Sequence, residues 1–321
     1  KGRPSASFKI SLPMNILNPM RLVASMAASL MAASAAWANV SLPAVISDGM
    51  VLEQNSTVKL WGWAKPYEEV SITTSWDGKT YKASPDPLAQ WSVEVTTPAG
   101  SDTPFSIEFK GYNTVVVSDV LIGEVILCSG QSNMEFQPSW GMEKKDSLMA
   151  QARQDDIRMF RVDYRTAPVP SHNVSGMWLH TTPQNAESFS VIGYVMACKL
   201  RRELGVPVGI VDSSWGGTVI KACAPAYCSD RSWGGTPIEC WTPAAVYEAN
   251  PALKELNDKL SVTTWGPVRP GLIYNAMVAP LMNYRFRAVA WYQGEQNCEN
   301  AEGYSQMLQE LVKSWRASLY D

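Results

Sequence analysis

The sequence predicts an α/β protein in which a three-layer α/β/α domain with a parallel sheet follows a small β-sandwich domain. Residues 40 to about 120 contain short runs that alternate apolar and polar residues, separated by turn residues, a pattern typical of small sandwiches. From about residue 120 onward, nearly continuous apolar runs alternate with helical stretches, which indicates buried parallel strands and the helices that cover them. The alternating runs lie at 57–61, 70–73, 91–95 and 105–109.

The second part of the chain supplies the elements of the parallel sheet in order. Buried strands are expected at 120–128, 208–211 and 288–292, and helices at 194–204, 251–260 and 304–319. We therefore expect three segments: upstream residues with a signal peptide at 1–38, the sandwich at 39–119, and the α/β domain at 120–321.

The N-terminal segment has the pattern of an export signal. Arg21 precedes an apolar, small-residue run at 22–35, and 36–38 has the small-x-small form of a cleavage site. The rival interpretation, a membrane span, is disfavoured because the run is short and rich in Ala and Ser. We expect cleavage after Ala38 and a secreted or periplasmic protein. The residues before Met14 or Met20 resemble upstream read-through, because the chain begins with Lys1.

Charge and composition exclude several classes of partner. The net charge is −3 and no run of Lys and Arg occurs, which argues against nucleic acid. Neither a phosphate-binding loop nor a metal-ligand cluster is present, so we expect no cofactor and no metal site. Among the six cysteines, Cys223, Cys228 and Cys240 are close in sequence; one local disulfide and free thiols both remain open.

Each predicted buried strand runs into a polar loop that contains glycine. The loops lie at 129–134, 212–218 and 293–297. Because the carboxyl ends of parallel strands face one crevice, we expect the three loops to form one site. Each loop by itself has the ordinary composition of a strand-to-helix turn. It is the occurrence of all three loops, each at the end of a predicted strand, that predicts a functional site.

The residue types in these loops suit acyl transfer. Ser132, just after Gly130, can present its hydroxyl at the start of a helix, where backbone N–H groups and the helix dipole stabilise an oxyanion. Gly216 and Gly217 let backbone N–H groups approach closely, and Gln293 or Asn297 can add a side-chain donor. Glycosidase chemistry is weaker, because no paired acids stand out beyond Glu124 and Glu295.

The same segments resemble a known family. The stretch 119–135, which includes LCSGQSNME at 127–135, is similar to the nucleophile block of sialate O-acetylesterases, a branch of the SGNH/GDSL hydrolases. SWGGT at 214–218 and WYQGE at 291–295 resemble the second and third blocks of that family. The β-rich segment, with DGMVL at 48–52 and LWG at 60–62, resembles its N-terminal sandwich. The resemblance implies an SGNH-like fold and hydrolysis of O-acetyl esters on sialic acid or related glycans.

The resemblance also implies roles for individual residues. Ser132 matches the nucleophile; its own N–H, an N–H of Gly216 or Gly217, and the Gln293 side chain match the oxyanion hole. Glu295 is expected to orient Gln293 or a neighbouring loop, although a purely structural role remains open for it. The other expected substrate-binding or supporting residues are Gln131, Asn133, Trp215 and Asn297.

Two departures from the family pattern affect these expectations. The catalytic acid and histidine of the family lie in a later block, whereas this chain ends at Asp321 and contains only His172 and His180. Both histidines fall in a segment that we interpret as loop, and neither is expected to be the base. We therefore expect a reading frame that is cut at both ends. We also expect little or no esterase turnover from the chain alone, because a serine without a base is a weak nucleophile.

The second departure is a duplication of the second block. SWGGT at 214–218 is echoed by SWGGT at 232–236. Because the first copy directly follows a predicted strand, we assign the oxyanion glycine to it, although the reverse assignment stays open. For the function as a whole, a carbohydrate O-acetylesterase is favoured by the three loops, and a non-catalytic sugar-binding protein by the absent acid–histidine block.

Overall fold

The structure is a computed structural model that describes residues 39–216, 238–258, 270–301 and 303–320. The predicted signal peptide, Gly217 and the second SWGGT copy lie outside these ranges, as do Cys223 and Cys228.

Eleven strands are found among the described residues. They are β1 (Val51–Glu53), β2 (Thr57–Trp63), β3 (Val70–Thr74), β4 (Thr80–Ala83), β5 (Gln90–Thr96), β6 (Ser101–Lys110), β7 (Thr114–Gly130), β8 (Gln154–Val162), β9 (Gly176–Thr181), β10 (Val208–Ser214) and β11 (Ala288–Tyr292).

The helices lie mostly in the second half. They are α1 (Ser132–Glu135), α2 (Lys145–Met149), α3 (Pro183–Glu187), α4 (Val191–Leu204), α5 (Ile238–Trp241), α6 (Ala244–Ala249), α7 (Pro251–Asp258) and α8 (Tyr304–Tyr320). A π-helical segment at Tyr274–Val278 and 3₁₀ segments at Pro138–Trp140, Ala279–Leu281 and Glu295–Asn300 are also present. No helix in these ranges has the length and apolarity that a bilayer crossing requires.

β7 is the strand on which the sheet is organised. Its second half pairs in parallel with β10 on one side and with β11 on the other, and β10 continues to β8 and the antiparallel edge strand β9. Its first half pairs with β6, which leads to β3 and β4, while β2 and β5 form a separate two-stranded sheet. The mixed α/β class predicted from the sequence is therefore confirmed.

Helices cover both faces of the parallel part. Alternate residues of a strand point to opposite faces: Ile126 and Cys128 of β7 join the apolar cluster that contains Tyr194 of α4, whereas Val125 and Leu127 join the cluster that contains Trp315 of α8. The helix α4 begins at Ser190, whose side chain accepts a hydrogen bond from Gly193 N, and ends at Gly205, which has a left-handed backbone. Because both faces of β7 and β10 are covered, these strands have nearly continuous apolar sequences.

Three features differ from the sequence predictions. The strand β11, expected to be buried, has residues that are half-buried or exposed, because apolar residues in a short run need not be enclosed on both faces. His180 lies on strand β9 rather than in a loop; only Trp178 and Thr181 of that strand are buried, so its pattern was too weak to read. The strand β7 runs without interruption across the predicted domain boundary at 119–120. The boundary and the sandwich architecture of residues 39–119 stay predictions.

A buried carboxyl on β1 gives the first testable prediction. Glu53 is 4% exposed, and its Oε2 accepts the N–H of Val125 at 3.0 Å. Burial, with a smaller contribution from nearby Glu124, raises the pKa of Glu53 to about 7. A carboxyl whose pKa is higher in the folded state stabilises the fold fully below its unfolded pKa of about 4.3, and that stability is lost as the pH rises through 7.

Glu53→Gln keeps the size of the side chain and an acceptor for Val125 N–H, but the amide cannot ionise. We therefore expect this substitution to stabilise the protein more at pH 8 than at pH 5, so that the change in thermal midpoint is more positive at pH 8 by about 2 °C or more. Thermal unfolding followed by circular dichroism at both pH values measures this. An equal effect of the substitution at the two pH values would contradict a raised pKa at Glu53.

Candidate active site

The ends of three parallel strands meet at Gly130. The backbone of this residue, the last of β7, pairs with Ser214 at the end of β10 and with Tyr292 at the end of β11. The Gly130 φ of +134° is unfavourable for other residues, and a Cβ there would lie 2.1 Å from the Tyr292 carbonyl oxygen. The ladder continues one residue further, since Gln131 N–H donates to Tyr292 O at 3.1 Å and Trp215 N–H to Gly130 O at 3.0 Å. The three loops singled out in the sequence therefore leave the sheet side by side.

Ser132 is the first residue of α1 and is half-buried at this edge. The N–H groups of Met134 and Glu135 donate to Gln131 O, whereas the first turn provides no intrahelical acceptor for Ser132 N–H. Since α1 is a single turn of four residues, its dipole is small, and the dipole argument made from the sequence carries little weight. At Ser132, α1 therefore provides a backbone N–H donor rather than a strong helix dipole.

The second loop packs directly on Ser132. A Cβ at Gly216 would lie 2.7 Å from Ser132 Cα and 2.8 Å from Ser132 Cβ, so only glycine allows this approach. The N–H of Gly216 donates to Glu135 Oε2 at 2.6 Å. In this arrangement the Gly216 N–H, predicted as a donor to the oxyanion, is already bound to a carboxylate.

Glu135, on the same helical turn as Ser132, belongs to a group of two buried carboxylates and the partly exposed Arg161. The second oxygen of Glu135, Oε1, accepts from Arg161 Nη2 at 3.0 Å, and the carboxylate of Asp212 is nearby and fully buried, bonded to the Ser214 hydroxyl. Burial raises the pKa of Glu135 to about 7; the bond from Gly216 and the charge of Arg161 lower it, and Asp212 raises it further. Burial likewise raises the pKa of Asp212 to about 6, against the effects of Ser214 and Arg161.

The third loop holds the Gln293 side chain between two neighbours. Gln293 Nε2 donates to Asn297 Oδ1 at 2.7 Å, and Tyr304 OH donates to Gln293 Oε1 at 2.9 Å. Both oxygen and nitrogen of the amide thus have fixed partners, which defines its orientation. Gln293 and Asn297, predicted as alternative oxyanion donors, are bonded to each other.

Asn297 connects this loop to a buried carboxylate on α5. Asn297 Nδ2 donates to Glu239 Oε2 at 3.1 Å, and Asn297 Oδ1 also accepts the N–H of Ile238 at 3.1 Å. Glu239 is fully buried, and burial raises its pKa while the Asn297 bond lowers it. Asn297, at 2% exposure, is therefore a structural support of the third loop.

The first and third loops are also linked through side chains. Asn133 Nδ2 donates to Glu295 Oε1, and Gly294 N–H approaches Gln131 Oε1 at 3.5 Å. Of the two expectations for Glu295, the structure brings it to a residue of the neighbouring loop. The residue it reaches is the one directly after Ser132.

An aromatic pair lies next to the second loop. Trp215 stacks on Tyr164 with ring centroids 4.8 Å apart and an interplanar angle of 11°. Tyr164 follows β8 and is 44% exposed, and its hydroxyl accepts from Arg161 Nη2 at 3.0 Å. The pair offers a flat aromatic surface adjoining Gly216.

The two histidines lie apart from these contacts. His180 Nε2 is 3.1 Å from Asp119 Oδ2. Asp119 lies on β7 eleven residues before Gly130, which is roughly 35 Å along an extended strand. His172 is exposed in the connection between β8 and β9. His180 is therefore positioned away from Ser132.

Sequence reasoning missed the charges near the site. Glu135 stands three residues after Ser132 on the same helical turn, and this spacing, which puts two side chains side by side, is a usable signal. Asp212 ends an apolar run, which is a usable signal for a buried carboxylate. Arg161 could not be found, because β8 itself was not recognised.

Comparison with known proteins shows the family of the chain. The profile of a carbohydrate esterase family, described as sialic acid-specific acetylesterase, matches residues 122–321. The chain belongs to this family. Among curated members, the sialate O-acetylesterase of Mus musculus is 29% identical over 86% of this chain and 56% of its own length, and that of Homo sapiens is 27% identical over 86% and 52%.

A solved acetylesterase supports the fold. The crystal structure of a carbohydrate acetylesterase from Xanthomonas citri is 30% identical, with a TM-score of 0.72, and covers 88% of this chain and 58% of that chain. The chain spans about half the length of the curated relatives it matches. The family membership predicted from the three sequence blocks is therefore confirmed. Sequence identities of 27–30% do not define which acetylated glycan this member uses.

The Asn297 network gives a prediction for this acetylesterase family member. Asn297→Ala leaves the buried Glu239 carboxylate and Ile238 N–H without their partner, so we expect it to lower the free energy of unfolding by about 2–4 kcal/mol. Chemical denaturation measures this. Asn283→Ala is the control, because exposed Asn283 accepts only from Lys59 Nζ at 3.3 Å and should cost under about 0.5 kcal/mol. Equal losses in the two variants would contradict the supporting role of Asn297.

Proposed function

We propose that the protein is a serine esterase that removes O-acetyl groups from sialic acid or related acetylated glycans, with Ser132 as the nucleophile. The observation that carries the proposal is the position of Ser132 at the shared edge of three strands, with Gly216 packed against its Cα and Cβ. Membership in a family of acetylesterases supports both the reaction and the substrate class.

In the proposed reaction, Ser132 Oγ attacks the carbonyl carbon of the acetyl group while a base takes its proton. The tetrahedral intermediate then expels the sugar oxygen, which takes that proton back from the protonated base, and leaves an acetyl ester on Ser132. Water, activated by the same base, attacks this ester and releases acetate. We assign the base to the histidine of the acid–histidine block that the family resemblance implies, so the tests use the full-length protein.

The oxyanion of both intermediates needs hydrogen-bond donors already in position. Ser132 N–H, at the first turn of α1, is the proposed first donor. The fixed side chain of Gln293 is the proposed second. For the second loop, the bond from Gly216 N–H to Glu135 favours Gly217 N–H as the donor over that of Gly216.

The substrate class fits the surroundings of Ser132. Sugar rings present flat apolar faces that pack on aromatic side chains, and the stacked pair Tyr164 and Trp215 adjoins the second loop. Tyr292, 45% exposed, ends β11 at the same edge. We propose this aromatic surface as the contact for the glycan, with Gln131, Asn133 and Glu295 around the acetyl group.

Two finer predictions belong to the same proposal. Residues 39–119 are proposed to form the β-sandwich unit ahead of the α/β domain at 120–321, supported by the separate β2–β5 sheet. The protein is proposed to be secreted or periplasmic, supported by the apolar run and small-x-small pattern at 22–38.

Replacement of the nucleophile tests the function. We expect Ser132→Ala in the full-length protein to reduce hydrolysis of O-acetylated sialic acid by about 10⁴-fold or more, since only binding and oxyanion contributions remain. The unfolding free energy should change by under about 1 kcal/mol. Ser139→Ala is the matched control, because Ser139 is an exposed serine seven residues further on and should keep parental turnover. Acetate release by the three proteins is the measurement.

The same experiment separates an esterase from a sugar-binding protein. If acetylated sialic acid or acetylated xylan binds to the full-length protein and acetate is not released, the alternative of a non-catalytic carbohydrate-binding protein holds. If Ser132→Ala keeps parental turnover, another residue is the nucleophile.

A further inference from the structure

The carboxylate of Glu135 joins the two loops that meet at Ser132. Its Oε2 accepts the Gly216 N–H at 2.6 Å, and its Oε1 accepts from Arg161 Nη2 at 3.0 Å. The Glu135 side chain is almost fully buried, so these two bonds replace the water that a carboxylate would otherwise bind. Two distinct donors, one on the loop after β10 and one on β8, are thus bonded by one side chain on the nucleophile's helical turn.

Gly216 is the residue whose position this bond fixes. Because a Cβ on Gly216 would lie only 2.7 Å from Ser132 Cα, a shift of the loop at Gly216 would change the space around the nucleophile. The loop has a second attachment at Trp215 N–H, which donates to Gly130 O. The Glu135 bond acts one residue further on, where the loop leaves the strand ladder.

Among the residues that the structure describes, the charged groups that act on Glu135 come from the two strands β8 and β10. Arg161 of β8 favours the ionised carboxylate, and Asp212 of β10 disfavours it. Arg161 is itself held by Tyr164 OH and by Ser188 O at 3.1 Å. The cation is therefore fixed where it can compensate two buried carboxylates at once.

We propose that Glu135 is a positioning residue that holds the second loop against Ser132, with Arg161 bonded to its other carboxylate oxygen. The kinetic consequence of this inference rests on the proposed function of Ser132, whereas the contact between Glu135 and Gly216 does not. Because the two carboxylate oxygens bind Gly216 N–H and Arg161 Nη2, the effect of Glu135 on the reaction passes through Gly216.

The kinetic consequence is a loss of turnover rather than of affinity. In Glu135→Gln, the amide group places an NH₂ against either Gly216 N–H or the Arg161 guanidinium, both of which are donors, so one of the two bonds is lost. We expect kcat to fall about tenfold or more, because displacements near 1 Å can cost that much. KM should stay within about threefold, because the aromatic surface is unchanged.

Glu53→Gln is the matched control. Glu53 is also a buried carboxyl that accepts a backbone N–H, and burial also raises its pKa to about 7, but it lies on β1 away from the strand ends. A merely structural role for Glu135 would give both variants similar kinetics. Glu135→Asp serves as a second variant, since it keeps the charge but is too short to reach both donors, and should lose turnover in part.

The pH profile supplies a readout that a structural role would not move. Protonation of Glu135 removes an acceptor, so both Glu135 and the base must be deprotonated for full activity. Below neutral pH two groups titrate in the parental protein, so its log kcat/KM should rise by more than one unit per pH unit. In Glu135→Gln only the base titrates, so log kcat/KM should rise by one unit per pH unit. The Glu53→Gln profile should match the parental one.

The deciding experiment combines these kinetics with amide hydrogen exchange at Gly216 in the full-length protein. Faster exchange at Gly216 and lower kcat in Glu135→Gln, with neither change in Glu53→Gln, support the proposal. Parental kcat in a folded Glu135→Gln, or unchanged exchange at Gly216, overturns it. If Ser132→Ala retains turnover, the proposed function fails, but the exchange rates still decide whether Glu135 holds the loop. If Glu135→Gln does not fold, kcat and the exchange rate at Gly216 are measured in Glu135→Asp instead, with the same criteria.

Discussion

The site depends on one backbone constraint, the alignment of three strand ends at Gly130. Ser214 and Tyr292 pair with Gly130 from opposite sides, and only a residue without a Cβ fits beside the Tyr292 carbonyl at the observed φ. Because all three strands are parallel, this single register brings three separate segments of the chain to one edge. Ser132 then follows Gly130 by two residues, so its position is fixed by strand pairing rather than by the loop itself.

Near this edge the protein buries three carboxylates. Glu135 and Asp212 both interact with the partly exposed Arg161, and Glu239 is bonded to Asn297 of the third loop. Each carboxylate has a hydrogen-bond donor, as burial requires, yet the raised pKa values of Glu135 and Asp212 indicate that desolvation outweighs those bonds. Such an arrangement disfavours the folded state near neutral pH relative to an apolar core, and in return it holds loops that apolar packing would orient less specifically.

The sequence predicted the parts of this architecture that have strong patterns. The apolar runs of β7 and β10 were recognisable, because burial on both faces requires continuous apolar residues. The strand β11 and the helices α4 and α8 were recognisable from their apolar residues and periodicity, although β11 is only half-buried or exposed. β8 was missed since it begins with Gln154, Asp155 and Asp156 and contains the buried Arg158, and with it the sequence argument missed Arg161. The direction of the Gly216 N–H was also beyond reach, because it depends on the loop conformation and on a carboxylate eighty residues away. The strand-end pattern and the family resemblance predicted Ser132 as the nucleophile, whereas the charges near it could be found only from the three-dimensional contacts.

The central claim is that Ser132 becomes acylated. A fluorophosphonate probe, which forms a covalent bond with an activated serine, tests it directly when the full-length protein is labelled, digested and mapped by mass spectrometry. The account predicts one modified serine, Ser132, with labelling that an excess of acetylated substrate slows. Labelling of a different serine, or acetate release that continues while Ser132 stays unmodified and the probe is in excess, would contradict it.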